Sequence, residues 1–412
     1  RRQSRHKGQL ELEARMDGSS QALIERAKAT MTPNYNPAPF IADRGEGVRL
    51  FSKSGQSFLD FSSGIAVTSL GHAHPEVVEA VQEQAGKLFH TSNLFHHEAY
   101  VDACTRLSQI SCLPRIFLCN SGTEAVEIAL KAARRYFADR GEARTKFISF
   151  TGGFHGRSYG ALSVTFNPKY RHGFEPLLPG CDVTPYDDLA ALESALDEHT
   201  AAVIVEPIQG NTGVIVPSEG FLAGVRELTA KHGVLLIADE IQTGGGRTGK
   251  WMDHQYENVT PDIITMAKAI GGGLPLGAMA CNEEISSSLV RGTHGSTYGG
   301  NPLACVSGSK TLEIIERDQL MDHAVQLGHS FQTKLKELAH MHSVIVEVRG
   351  RGLMLGVELS CEAAPVLLKA RELGLLVTLG APKVLRILPP LIATEDDVAQ
   401  SIEILEKALK AV

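Results

Sequence analysis

Between residues 115 and 281 the chain alternates short, continuously apolar runs with stretches of helical periodicity, and this alternation limits the fold more than anything else in the sequence. The runs RIFLC (115–119), KFISF (146–150), AAVIV (201–205), VLLIA (234–238), IITMA (263–267) and GAMAC (277–281) read as strands. Helical patterns fall between many of them, notably EAVEIALKAARRYFA (124–138) and GFLAGVRELTAKHG (220–233). In the second, Leu222, Val225, Leu228 and Ala230 recur close to the helical period. Strands that are apolar throughout, separated by helices, imply an α/β fold with a mostly parallel sheet covered on both faces. Ligands bind such sheets beyond the carboxyl ends of the strands.

The pattern changes near residue 305. A long helical stretch (302–340) precedes VIVEVRGRGLMLGVEL (344–359), GLLVTL (374–379), VLRILPPL (384–391) and a terminal helix (395–410), which together read as a smaller α+β domain. Residues 33–75 are turn-rich and read as extended segments and hairpins. At 412 residues the chain exceeds what one compact core usually spans. The expected division is an N-terminal segment (1–75), a large domain (76–305) and a small C-terminal domain (306–412). Residues 1–15, ahead of Met16, are set aside as a candidate expression leader.

Several function classes are disfavoured. A net charge of −7, spread along the chain, offers no basic face for nucleic acid. No apolar run approaches the ~20 residues that cross a bilayer. The basic N-terminus lacks the apolar stretch of a secretory signal. Seven scattered cysteines without a CxxC pair read as free thiols in a reducing cytoplasm. His72, His74, His96 and His97 lack metal-ligand spacing, so no metal site is expected.

The residues after the strands carry the chemistry. RIFLC runs into Asn120-Ser121-Gly122-Thr123-Glu124 and then a helix. Ser121 with Glu124 three positions on reads as a capping box, and such a helix N-terminus also binds phosphate; a simple cap accounts for this motif equally well. VLLIA leads into Asp239, a carboxylate that needs a positive partner at the end of a buried strand. IITMA leads into Lys268 and a glycine-rich turn, where desolvation would depress the amine pKa and suit it to Schiff-base chemistry. Either residue alone fits a structural ion pair as well. Together with the phosphate-type turn they match what pyridoxal phosphate needs: an amine for the aldehyde, an anion for the ring nitrogen and a helix N-terminus for the phosphate. Phe154, in TGGFHGR, supplies an aromatic face, although alone it reads as core. GGGRTGK (244–250) nearly matches a P-loop, but Trp251 stands where a hydroxyl must bind Mg²⁺. GRGLMLG (350–356) starts like a dinucleotide fingerprint, but its third glycine is misplaced and no helix opens there.

From about Tyr35 onward the sequence resembles the class-III (fold-type-I) aminotransferases. The matching motifs are GIAVTSLGHAHPEVVEAV, NSGTEAVEIALKAAR, GGFHGRS, VEPIQG, ADEIQTGGGRTGK, PDIITMAKAIGGGLPLGAM, HGSTYGGNPLAC and RILPPL. The resemblance implies a seven-stranded, mostly parallel sheet and pyridoxal 5′-phosphate on Lys268. It implies that Asp239 pairs with the ring nitrogen, Gln242 approaches the ring oxygen and Phe154 stacks on the ring. Ser121, Gly122 and Thr123 would hold the phosphate, completed by Thr297 from the other subunit of a homodimer, with Ser296 near the substrate. Arg157 would bind the distal carboxylate, Arg386 the α-carboxylate of 2-oxoglutarate, and Glu206 would pair with Arg386 when that carboxylate is absent.

Within the family the motifs lie nearest the members acting on N-acetylornithine, with ornithine, succinylornithine and 4-aminobutyrate as alternative donors. Tyr35 resembles the aromatic facing the substrate tail, and Ile65 departs from the tyrosine carried by ornithine-specific members. Asn211-Thr212 stand where the family usually has Glu-Gly. A non-catalytic binding protein on the same fold is the alternative of a different class, and intact Lys268, Asp239 and Arg386 argue against it.

Overall fold

The computed structural model describes residues 18–411, so the candidate leader over residues 1–15 lies outside them. Strands β1 (Ala42–Glu46), β2 (Arg49–Ser52) and β3 (Ser57–Asp60) form an antiparallel meander, the hairpins expected of the turn-rich N-terminal segment. The central sheet contains β4 (Arg115–Cys119), β5 (Lys146–Phe150), β6 (Cys181–Thr184), β7 (Thr200–Val205), β8 (Leu235–Asp239), β9 (Ile263–Met266) and β10 (Gly277–Cys281). Their order is β4-β10-β9-β8-β7-β5-β6. Every pairing is parallel except those of β10, which runs against both β4 and β9. The connection over residues 267–276 is too short for a crossover helix, so β10 must return antiparallel.

Six of these strands are the apolar runs of the sequence. The seventh, β6, escapes the pattern because CDVT lies at the sheet edge and is largely half-exposed. Helix Gly122–Ala138 covers one face. Its Val126, Ala129, Leu130 and Ala133 pack on Phe147, Ala202, Ile237 and Ile263, and the alanines let helix and sheet approach closely. Helix Phe221–Lys231 helps cover the other through Phe221, Leu222 and Val225 on Ile148, Val203 and Leu236. Each fully buried Val, Ile or Phe contributes roughly 1.5–3 kcal/mol of transfer free energy.

The expected helical stretch 302–340 is two helices, Pro302–Arg317 and Leu320–Met341. Gln319 between them is left-handed (φ 54°) and breaks the hydrogen-bond ladder. The first helix packs beside the turn after Lys268, with Ser307 donating to the Gly271 carbonyl at 2.9 Å. The second buries Leu327, Phe331, Leu335 and Leu338 in the C-terminal core. One straight rod could not serve both surfaces.

Beyond them, β11 (Ile345–Arg351), β12 (Met354–Leu359), β14 (Thr378–Ala381) and β15 (Val384–Ile387) form an antiparallel sheet in the order β11-β12-β15-β14. Strand β13 (Leu375–Leu376) instead pairs in parallel with β3. One apolar cluster therefore joins Leu59, Phe61 and Leu70 to Phe331, Leu355 and Leu385. Among the described residues no helix is long and apolar enough to cross a membrane.

Candidate active site

The carboxyl ends of β4, β5, β7, β8 and β9 converge on a cavity of about 460 Å3. Ser121, Gly122, Thr123, Phe154, Arg157, Glu206, Asp239, Gln242 and Lys268 all line it. The sequence places these residues up to 147 positions apart in pairs such as Ser121 and Lys268; the parallel topology brings them together because each follows a strand running in one direction.

Lys268 lies just beyond β9, after Ala267, and holds a left-handed backbone (φ 52°), an uncommon conformation for a side-chain-bearing residue and one that concentrates at functional sites. Its pKa is lowered to about 8, chiefly by burial and then by the Arg386 charge, against the opposing pull of Asp239 and Glu206. Asp239 ends β8 and is 3% exposed. Its Oδ1 accepts from Thr265 Oγ1 at 3.0 Å and from the Ile241 N–H at 3.2 Å. Its Oδ2 lies 2.7 Å from His155 Nδ1. A buried carboxylate is tolerated here because both oxygens have partners.

Ser121 is the N-cap of helix Gly122–Ala138 and accepts from the Glu124 N–H at 3.3 Å. The expected capping box forms only in half: Glu124 turns to the Asn120 N–H at 2.6 Å instead of the Ser121 N–H. At the first turn the N–H groups of Gly122 and Thr123 have no intrahelical acceptor, and they stand at the cavity wall. Thr123 Oγ1 accepts from the Arg157 and Ser158 N–H groups at 3.2 and 3.1 Å, tying the cap to the loop after β5. The closeness of this cradle is set by small residues. A Cβ on Gly122 would lie 2.8 Å from Ile241 Cδ1, and one on Gly156 would lie 2.8 Å from Thr123 Cβ.

Phe154 donates its N–H to Glu206 Oε2 at 2.9 Å and packs edge-on to Tyr170, with ring centroids 5.9 Å apart. Arg157 is exposed at the cavity mouth, its guanidinium 3.6 Å from the Tyr170 ring centroid, and it forms no ion pair among the described residues. Arg386 on β15 approaches from the C-terminal sheet and touches the wall through Gln242 Oε1 at 3.0 Å.

The pairing expected between Glu206 and Arg386 is not made. Glu206 Oε2 takes the Phe154 N–H and its Oε1 the Gly210 N–H at 3.3 Å. Moving it to Arg386 would orphan both donors, at about 1–3 kcal/mol for each buried group. Burial, the largest cause, and the Asp239 charge hold the Glu206 pKa up at about 7. Arg386 is instead met by Asn211 Oδ1 at 2.6 Å.

Besides Arg386, three expected residues lie off the cavity lining in a single chain. Ser296 Oγ accepts from Asn120 Nδ2 at 3.2 Å, one step behind the wall. Thr297 is exposed, and Tyr35 is 76% exposed. The sequence reading missed His155, although it stands in GGFHGRS beside Phe154; a histidine just past a buried strand and opposite an Asp-tipped one was the available signal. Thr265 and Asn120 were missed because Ser/Thr/Asn at strand ends are too common to single out.

The residues fit pyridoxal phosphate: a glycine-built helix terminus for an anion, a fixed carboxylate and a desolvated amine share one cavity. Comparison with known proteins agrees. The family model Aminotransferase class-III matches residues 30–409. The acetylornithine aminotransferase of Aquifex aeolicus is 46% identical over 377 residues, covering 91% of this chain and 98% of the relative. The structure of an acetylornithine aminotransferase from Elizabethkingia anophelis aligns with a TM-score of 0.85 at 34% identity, covering 95% of this chain and 99% of the other. An ornithine aminotransferase from Toxoplasma gondii, described with partial occupancy of pyridoxal phosphate at its active site, aligns with a TM-score of 0.92 at 34% identity, covering 95% and 94%. With the fold, the strand-end chemistry and these relatives in accord, the chain belongs to the class-III aminotransferases and is a pyridoxal-phosphate-dependent transaminase.

Proposed function

We propose that the chain moves the terminal amino group of N-acetylornithine to 2-oxoglutarate, giving the semialdehyde and glutamate. The donor rests on the relatives, which are named acetylornithine aminotransferases. The chemistry rests on one observation, the desolvated Lys268 sharing a cavity with the fixed carboxylate of Asp239. Pyridoxal phosphate, when bound, supplies the electron-withdrawing ring that makes the substrate C–H acidic.

The chain's own residues do the rest. With a pKa of about 8, Lys268 holds a useful neutral fraction near neutral pH, so its Nζ can take a proton from the substrate's terminal carbon and return it one position away. Asp239, aimed by His155 and Thr265, is the anion that keeps a ring nitrogen protonated. Gly122 and Thr123, with Ser121 alongside, hold the phosphate, Gln242 lies toward the ring oxygen, and Phe154 covers the ring face. Arg157 at the mouth binds the distal carboxylate, and Arg386 the α-carboxylate of the keto acid, each by the paired donors of a guanidinium.

The active unit is a homodimer. Thr297 is exposed, one residue from Ser296, and so are Leu94, Phe95 and Tyr298, whose two segments are tied together where Asn93 donates to the Ser296 and Gly299 carbonyls at 3.1 and 3.3 Å. Thr297 and Tyr35 then act on the partner's cavity or at its rim. All seven cysteines are free, which suits a reducing cytoplasm.

The test is a donor panel with 2-oxoglutarate as acceptor: acetylornithine, succinylornithine, ornithine, lysine and 4-aminobutyrate. Acetylornithine should lead in kcat/KM by about tenfold or more over free ornithine. A profile led by ornithine or 4-aminobutyrate would overturn the donor and leave the transaminase intact.

A further inference from the structure

Arg386 is 4% exposed, yet every group it touches is neutral. Its Nε donates to Thr378 Oγ1 at 3.1 Å. Its Nη1 donates to the Gly210 carbonyl at 3.2 Å, Gln242 Oε1 at 3.0 Å and Asn211 Oδ1 at 2.6 Å. Among the described residues no carboxylate forms an ion pair with it, and Glu206 is committed to the N–H groups of Phe154 and Gly210. A buried guanidinium with neutral partners retains most of its attraction for an anion.

Asn211 differs from the other partners in freedom. Its turn is anchored at the base, where Gln209 and Ile215 exchange backbone hydrogen bonds and Gln209 Nε2 donates to the Thr151 carbonyl at 2.8 Å. The Asn211 side chain itself is only half-buried and makes no hydrogen bond except to Arg386 among the described residues. It can leave Arg386 by side-chain rotation without disturbing the turn.

We infer that Asn211 is a specificity-determining residue, a neutral and displaceable cap that leaves Arg386 open to an α-carboxylate throughout the reaction cycle. This rests on reading Arg386 as the α-carboxylate anchor. A carboxylate arriving at Arg386 replaces a neutral acceptor with a charge-assisted, bidentate pair, so the exchange favours the ligand. An acidic residue at 211 would have to be pulled out of an ion pair first. The neutral cap therefore gives ready entry to the keto acid, and weaker exclusion of α-amino acids such as glutamate from the amine-donor role.

Glutarate, a non-reacting dicarboxylate, tests this by calorimetric titration of the holoenzyme. Asn211→Asp should weaken glutarate binding by about tenfold or more, and Asn211→Ala should bind it within about threefold of the native protein or more tightly. Arg386→Ala should lose about a hundredfold. In parallel, the ratio of kcat/KM for glutamate to that for the terminal-amine donor should fall about tenfold in Asn211→Asp. Glutarate binding unchanged in Asn211→Asp, with binding lost in Arg386→Ala, overturns the cap and keeps the anchor. Full binding in Arg386→Ala removes the anchor, and the cap with it. Loss of binding in Asn211→Ala shows that Asn211 supports the ligand directly, which also overturns the cap.

Discussion

Lys268 is held in three ways at once: it is buried, its backbone is left-handed, and the charge of Arg386 bears on it. The burial and the Arg386 charge make the neutral amine easier to reach. In the apoenzyme, the rate of reaction with added pyridoxal phosphate, followed by visible absorption, should be half-maximal near pH 8. Arg386→Ala should raise that midpoint by roughly one unit, since one of the forces lowering it is removed. A midpoint above 10 in the native protein would show that the lysine is not desolvated before the cofactor binds. The same shift governs stability. The unfolded chain keeps its lysine proton up to 10.5 and the folded chain only to about 8, so the unfolded state binds more protons between these values. Apoenzyme stability should therefore rise with pH across that window, from the contribution of this group. Lys268 and Asp239 were legible in the sequence because charge at the end of an apolar strand is conspicuous. Glu206 lines the cavity, but nothing in a linear string shows that two backbone N–H groups, and not Arg386, take its oxygens.

Among the elements, the loop after β5 and the helix after β4 act as one piece. Thr123 accepts from two N–H groups of that loop, and Gly156 sits against Thr123 with φ 135°, a conformation that side-chain-bearing residues rarely adopt. Gly156→Ala should push the helix terminus off its position. Cofactor affinity should fall about tenfold and stability by about 2 kcal/mol, measured by absorption titration and urea unfolding. Undiminished cofactor retention would show that the loop and the cradle move independently. The alternation of apolar runs with helices disclosed six strands of the central sheet and its two covering layers. It could not disclose β6, whose edge position relieves it of the need for apolar residues, or the break at Gln319, where the demands of two different cores divide one periodic stretch.

At the scale of the molecule, the cavity of one chain holds Lys268, while Thr297 is exposed on the surface. If the sites are shared, Lys268→Ala and Thr297→Ala subunits complement each other, because a mixed dimer carries one site with both residues intact. Random assembly of two variants that are each nearly inactive should restore about a quarter of native activity. Activity that does not exceed the average of the two pure variants would place Thr297 outside any shared site. The N-terminal meander shares its apolar cluster with the C-terminal region, through Leu59 and Phe61 against Phe331 and Leu385. We propose that these segments, distant in sequence, fold as one unit.

The sequence by itself determined the strand–helix alternation, hence a mostly parallel sheet, and the charged or hydroxyl-bearing residues that terminate its strands. Burial periodicity and strand-end composition are local properties, and a linear string carries them in full. The tertiary structure decided which of those ends face each other and which acceptors each donor reaches. It turned His155 toward Asp239 and gave the oxygens of Glu206 to the backbone. It also set Asn211 against Arg386, because partners in a folded chain are chosen by distance and by the cost of leaving any buried polar group unpaired.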